Sequence, residues 1–230
     1  MCNSPIRTLD LTPFCDLPLL SILVFTSNKI RSVLSSGLQQ CKVYDSLEEM
    51  DLSENLLKTV SMFLLQPYVK LRVLKLNKNK LRRLTGCLAS DMLQELDVSD
   101  NRLTSFSLCQ WRIPFLTLLS LNSNQLTTLP ACLDNLKSLQ KLRFQSNWIL
   151  AIDFIELGWM DNLKLLDLSS NRIRSITLNS SDFPVKLETL IVDRNNMTEL
   201  NLMFVPAEKL QVQAEYNLIA NFNINATSMN

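Results

Sequence analysis

The chain has no histidine among its 230 residues. That removes the side chain most often used for proton transfer near neutral pH, and with it the usual nucleophile–histidine triads. Glycine occurs only at 37, 86 and 158, so the chain is neither a glycine-rich nor a disordered segment. No phosphate-cradling loop, Gly-x-Ser-x-Gly elbow or metal-ligand spacing appears. Neither sign of charge dominates, at 23 basic against 22 acidic residues, so no global field draws the chain to nucleic acid or an anionic membrane. The most apolar run, Leu17 to Phe25, falls well short of the roughly 18 residues of a membrane-spanning helix. The six cysteines include no Cys-x-x-Cys pair, which removes zinc and redox motifs. Met1 to Phe14 lacks the basic start and apolar stretch of a signal peptide. Taken together, these absences point away from catalysis; no cofactor and no metal are expected.

What is abundant is repetition. An asparagine returns every 22 to 27 residues: Asn28, Asn55, Asn79, Asn101, Asn124, Asn147, Asn171, Asn195 and, more weakly, Asn217. Leucines precede it by eight, five and three places, as in Leu71, Leu74, Leu76 before Asn79, and an apolar residue follows at two places, here Leu81. A further apolar residue stands five places on, from Val33 and Val60 through to Phe222. Positions five and three before the asparagine alternate along one short strand, so the residues between and beside them face outward. One unit cannot bury its own apolar edge, so neighbours stack and the core runs lengthwise. All eight prolines avoid the strand segments, where a missing N–H would break the ladder.

The pattern resembles the leucine-rich-repeat family from end to end. The resemblance implies an α/β-type solenoid, a curved horseshoe with a parallel β-sheet on its concave side. Period-two alternation after the asparagines, as in Leu9-x-Leu11 and Ile152-x-Phe154, predicts short extended segments on the convex side rather than long helices. One elongated domain over residues 1–230 is expected, with about nine to ten units. It begins and ends in mid-repeat with no visible polar caps, which fits a piece of something longer, or a dimer or partner covering the open ends. The long unit between Asn28 and Asn55 is expected to carry a surface loop around Gln39 to Asp45.

Two compartments remain open. Three glycosylation sequons start at Asn179, Asn196 and Asn225, which an extracellular protein would use. Cys87, Cys109 and Cys132 each fall eight residues after their asparagine and stack in register. They read as a column of small apolar core residues, with disulfides within reach as the alternative. The runs Asn171-Arg172-Ile173-Arg174-Ser175-Ile176 and Asn101-Arg102-Leu103-Thr104-Ser105-Phe106 resemble the repeats of secreted insect leucine-rich immune proteins. That resemblance implies an extracellular module, in innate immunity, that binds another protein. The run Asn124-Gln125-Leu126-Thr127-Thr128-Leu129-Pro130 instead resembles intracellular signalling scaffolds, which implies a regulatory segment of a larger cytoplasmic protein.

In this family the resemblance places contacts on the outward positions of the inner strands, six, four and two before each asparagine. The candidate partner-binding residues are Glu49, Asp51, Lys75, Glu95, Asp97, Leu118, Lys141, Arg143, Leu165 and Asp167. One reading of this face is a self-neutralising charge ladder, Asp51 to Lys75 to Asp97 and Arg143 to Asp167. The other is a contact patch of Lys141 and Arg143 beside exposed Leu118 and Leu165. The basic run from Lys70 to Arg83 reads as a solvated edge paired with the acidic unit before it, with no aromatic residues to stack on nucleic-acid bases.

Overall fold

The structure, a computed structural model, describes residues 4–35, 40–177, 183–202 and 210–224. Nine three-residue strands form one parallel sheet in chain order: Ile22–Val24 (β1), Glu49–Asp51 (β2), Val73–Lys75 (β3), Glu95–Asp97 (β4) and Leu118–Ser120 (β5). Lys141–Arg143 (β6), Leu165–Asp167 (β7), Thr189–Ile191 (β8) and Gln211–Gln213 (β9) complete it. Every pair is in register, so position six before one asparagine meets position six before the next: Leu118 with Lys141, Lys141 with Leu165. The middle residue of each strand is buried from Leu23 to Leu190, and the flanking two look outward. The core is therefore a continuous column of leucines behind the sheet.

The asparagines hold the stack. Asn79 Nδ2 donates to the carbonyls of Leu76 and Asn77 in its own unit and of Leu52 in the unit before. Its Oδ1 accepts from Leu57 N–H at 3.0 Å. The same four bonds recur at Asn55, Asn101, Asn124, Asn147, Asn171, Asn195 and Asn217, as at Asn124 with Leu121, Asn122, Val98 and Leu103. Each side chain thus satisfies backbone groups that the next layer would bury unpaired. The recurring asparagine marks the place where each unit turns out of its strand. The structure puts the left-handed residue one place earlier, at Ser27, Glu54, Lys78, Asp100, Ser123, Ser146, Ser170, Arg194 and Tyr216, with φ between 52° and 58°. Such a conformation disfavours residues with a Cβ, and the asparagine ladder is what sustains it.

The convex side is extended, as the alternation predicts. Thr8–Asp10 pairs with Ser32–Leu34, Thr59–Ser61 with Arg83–Thr85, and Leu88–Ala89 with Trp111–Arg112. Four further short strands form a second ladder from Ile152–Asp153 to Asn221–Ile224. The helical elements among the described residues are 3-10 turns of three or four residues. The fold is a parallel-strand solenoid of leucine-rich-repeat type, curved with the nine-stranded sheet inside.

Two local expectations are corrected. In the long unit, Lys42–Asp45 is a 3-10 turn whose Val43 is buried, so it is packed structure and not a loop; Gln39 lies outside the described residues. The cysteines are not a core column. Cys109 is exposed and forms a disulfide with half-buried Cys132, their Cα atoms 5.0 Å apart, while Cys87 is a free thiol. Stacked units put equivalent Cα atoms within disulfide reach, which makes the bridge geometrically available. Cys15 and Cys41 form a second bridge that the repeat spacing does not announce, because Cys41 sits in the irregular long unit.

Candidate functional site

The inner face is built from the outward residues of β1 to β9. Glu49, Asp51, Lys75, Asp97, Leu118, Arg143, Leu165 and Asp167 are half-buried there, and Glu95 and Lys141 are exposed. All ten candidates therefore share one sheet. The column two places before the asparagine is partly withdrawn: Ser53, Ser99 and Ser169 are buried. Their N–H groups bond back to the carboxylates of Asp51, Asp97 and Asp167, at 2.9, 2.9 and 3.0 Å. Ser99 and Ser169 add their hydroxyls to the same oxygens.

Those bonds alter the expected charge ladder. The three aspartates engage their own chain, and Lys75 pairs with Glu49 at 2.6 Å rather than with Asp51 or Asp97. The hydrogen bond to Glu49 raises the Lys75 pKa above its ordinary value. Arg143 and Asp167 face each other across the ladder, yet neither Lys141 nor Arg143 has an ion pair among the described residues. On β6, Lys141 sits between Leu118 of β5 and Leu165 of β7, and Arg143, two places on along the same face, sits between Ser120 and Asp167.

The basic run divides. Arg72 pairs with Glu48, Lys75 with Glu49 and Lys78 with Glu54, in agreement with an edge paired to its acidic neighbour. Lys80, Arg82 and Arg83 are exposed without such a pair among the described residues. On the convex side lies a concavity of about 620 Å³ between Leu129–Asp134 and Ile155–Trp159, which sequence reasoning missed. Burial, aided by Asp153, raises the pKa of Glu156 at its wall. Single exposed aromatics such as Trp159 carry no periodic signal, so the repeat pattern hides them.

Of the three sequons, Asn196 is exposed, one residue past the buried Asn195. Asn179 and Asn225 lie outside the described residues. No helix among the described residues is long and apolar enough to cross a membrane.

With this geometry in place, comparison with known proteins defines the class. The Leucine Rich Repeat family model matches residues 92–111 and 162–183. The chain carries leucine-rich repeats and has their solenoid fold. It is similar to a probable serine/threonine-protein kinase, pats1, of Dictyostelium discoideum, at 33% identity over 178 residues. That match covers 77% of this chain and only 5% of the kinase's length. A solved leucine-rich-repeat protein of Leptospira interrogans superposes with a TM-score of 0.67 at 21% identity, over 89% of this chain and 60% of that one. The LRIM1/APL1C complex superposes with a TM-score of 0.69 at 24% identity, over 92% of this chain and 42% of that one. At these identities the two structures show the fold alone.

Proposed function

We propose that residues 1–230 act as one non-enzymatic recognition module that binds another protein through the inner sheet face. Lys141 and Arg143, flanked by Leu118 and Leu165, form the centre of the contact, and Glu49, Asp51, Lys75, Glu95, Asp97 and Asp167 line the rest. The observation that carries this reading is the contrast on that face. The aspartates are occupied by their own serines and Lys75 by Glu49, while the β6 cations are left without an ion pair among the described residues, Lys141 between Leu118 and Leu165 and Arg143 beside it on the same face. An arginine without an ion pair, in one patch with half-buried leucines, is the composition favoured at the centres of protein interfaces.

An extracellular setting is supported by the two disulfides, which persist in oxidising compartments, and by the exposed sequon at Asn196. A role in innate immunity is supported by the resemblance of the Asn101–Phe106 and Asn171–Ile176 runs to secreted insect leucine-rich immune proteins, and a protein partner is in keeping with the LRIM1/APL1C structure being a complex. A second reading, a scaffold segment of a larger cytoplasmic signalling protein, is favoured by the stretch shared with the Dictyostelium kinase.

The test has two parts. Expressed behind a borrowed signal peptide, the chain is expected to be secreted and to lose mass on glycosidase treatment, a loss reduced by Asn196→Gln. Secretion without glycan, or a fully reduced thiol count in the native protein, would favour the cytoplasmic reading. Once a partner is captured, Lys141→Glu with Arg143→Glu should abolish capture while leaving the melting temperature nearly unchanged. Equal capture by the double variant sinks the patch assignment.

A further inference from the structure

The chain leaves each strand along one flank of the solenoid, through the residues one and three places after the asparagine. The residue between them, such as Ile30, Leu57 or Leu81, is buried, so its two neighbours both point outward along that flank. From Pro5 to Ala220 these positions hold no carboxylate at all. Over the first units they hold a dense set of cations. Arg7, Arg31, Lys58 and Arg82 form one column, and Lys29, Lys80 and Arg102 stand beside it, all exposed.

Backbone bonds fix this stacking. Arg31 N–H donates to the Arg7 carbonyl at 2.7 Å, and Arg82 N–H to the Lys58 carbonyl at 3.0 Å. Successive cations are thus roughly 5 Å apart at the backbone, well inside a Debye length of about 8 Å, so their fields add. Among the described residues none of the seven is in an ion pair. Nearby Glu54 is taken by Lys78 and Ser27, and Asp10 by Thr12. The cost of holding like charges this close is offset when a polyanion lies across them.

We propose that this flank, beside the C-terminal ends of β1 to β4, binds a linear sulfated polysaccharide laid across the repeats. The chemistry favours that occupant over the other polyanions. No aromatic side chain stands among these cations to stack on the bases of a single-stranded nucleic acid. No exposed large apolar residue stands among them to insert into a membrane surface. The array is linear and regular, as a repeating polysaccharide is. The proposal takes its setting from the secreted reading but not its geometry, since a different surface carries it.

The test measures binding of a size-defined heparin oligosaccharide to the intact chain by titration calorimetry at several salt concentrations. Binding is expected to weaken steeply with salt. The triple variant Arg31→Glu, Lys58→Glu, Arg82→Glu should lose affinity by on the order of 100-fold at physiological salt. Desulfated heparin should not bind, and Lys164→Glu with Lys186→Glu on the opposite flank should leave affinity unchanged. If the triple variant melts early, the neutral set Arg31→Gln, Lys58→Gln, Arg82→Gln is read in its place. Failure of heparin to bind, an equal loss in the opposite-flank control, or tighter binding of a single-stranded oligonucleotide or of phosphatidylserine vesicles overturns the proposal. Lys141→Glu with Arg143→Glu should not change heparin affinity, which separates this surface from the protein-binding face.

Discussion

The two flanks of the solenoid share one backbone and differ in charge. Both are stacked by hydrogen bonds between equivalent positions of successive units, such as Arg82 N–H to the Lys58 carbonyl on the exit flank and Arg72 N–H to the Glu48 carbonyl on the entry flank. On the entry flank, cations meet acceptors on the neighbouring unit. Arg72 pairs with Glu48, Lys164 with Glu188 at 3.5 Å, and Lys186 donates to Asn162. On the exit flank, seven cations from Arg7 to Arg102 have no ion pair among the described residues. A repeat backbone therefore dictates spacing and says nothing about charge. Where opposite signs alternate between units the flank neutralises itself; where one sign recurs, the same stacking concentrates it.

One ladder holds both flanks, and the largest predicted effect is what breaks that ladder on both together. Leu121→Asp buries a carboxylate in a layer with no exposure and should prevent folding, as read by loss of the cooperative denaturant transition. Asn124→Ala deletes four hydrogen bonds to buried backbone and should cost about 2–4 kcal/mol in the same assay. A near-neutral Asn124→Ala would mean that the ladder does not depend on its side chains.

Smaller effects should have opposite signs on the two flanks. Lys58→Glu places a carboxylate between Arg31 and Arg82 and should stabilise the chain by roughly 0.5 kcal/mol at low salt. Glu188→Lys sets a like charge beside Lys164 and should destabilise it by a similar amount, about 0.5 kcal/mol. Salt should shrink both changes. If both substitutions act in the same direction, the charge contrast has no energetic content.

The smallest effect concerns Glu54, whose carboxyl is held below its ordinary pKa by hydrogen bonds from Lys78 and then Ser27. Because the folded-state pKa is lowered, the stabilisation is in place above the unfolded value of about 4.3. It is lost as the pH falls through the lowered folded value. The group is fully exposed, so the change is best followed by NMR titration of the Glu54 side chain rather than by melting. A titration at the ordinary value would show that Lys78 does not hold it in solution.

Much of the architecture is legible because period and register are sequence properties. The interval between Asn79 and Asn101 states where β3 and β4 must align, and Leu74 and Leu96 state which side they bury. The outward positions of the face follow from the same alternation, which is why the spacing alone puts Lys141 beside Leu118. Their electrostatic state could not. Whether Asp97 reaches Lys75 or its own Ser99 depends on side-chain torsions and on the left-handed residue at Asp100, and no spacing rule encodes either. Cys109 and Cys132 share a column with Cys87, but only the positions of their sulfurs decide which pair bonds.

The sequence by itself determined the repeat, the stacking direction, the leucine core and the list of residues on each face and flank, because burial of a periodic apolar pattern admits one arrangement. Tertiary structure alone decided which charges are spent within the chain and which are left for a partner. That choice rests on distances of a few ångströms between side chains from different units, where one hydrogen bond won is another one lost.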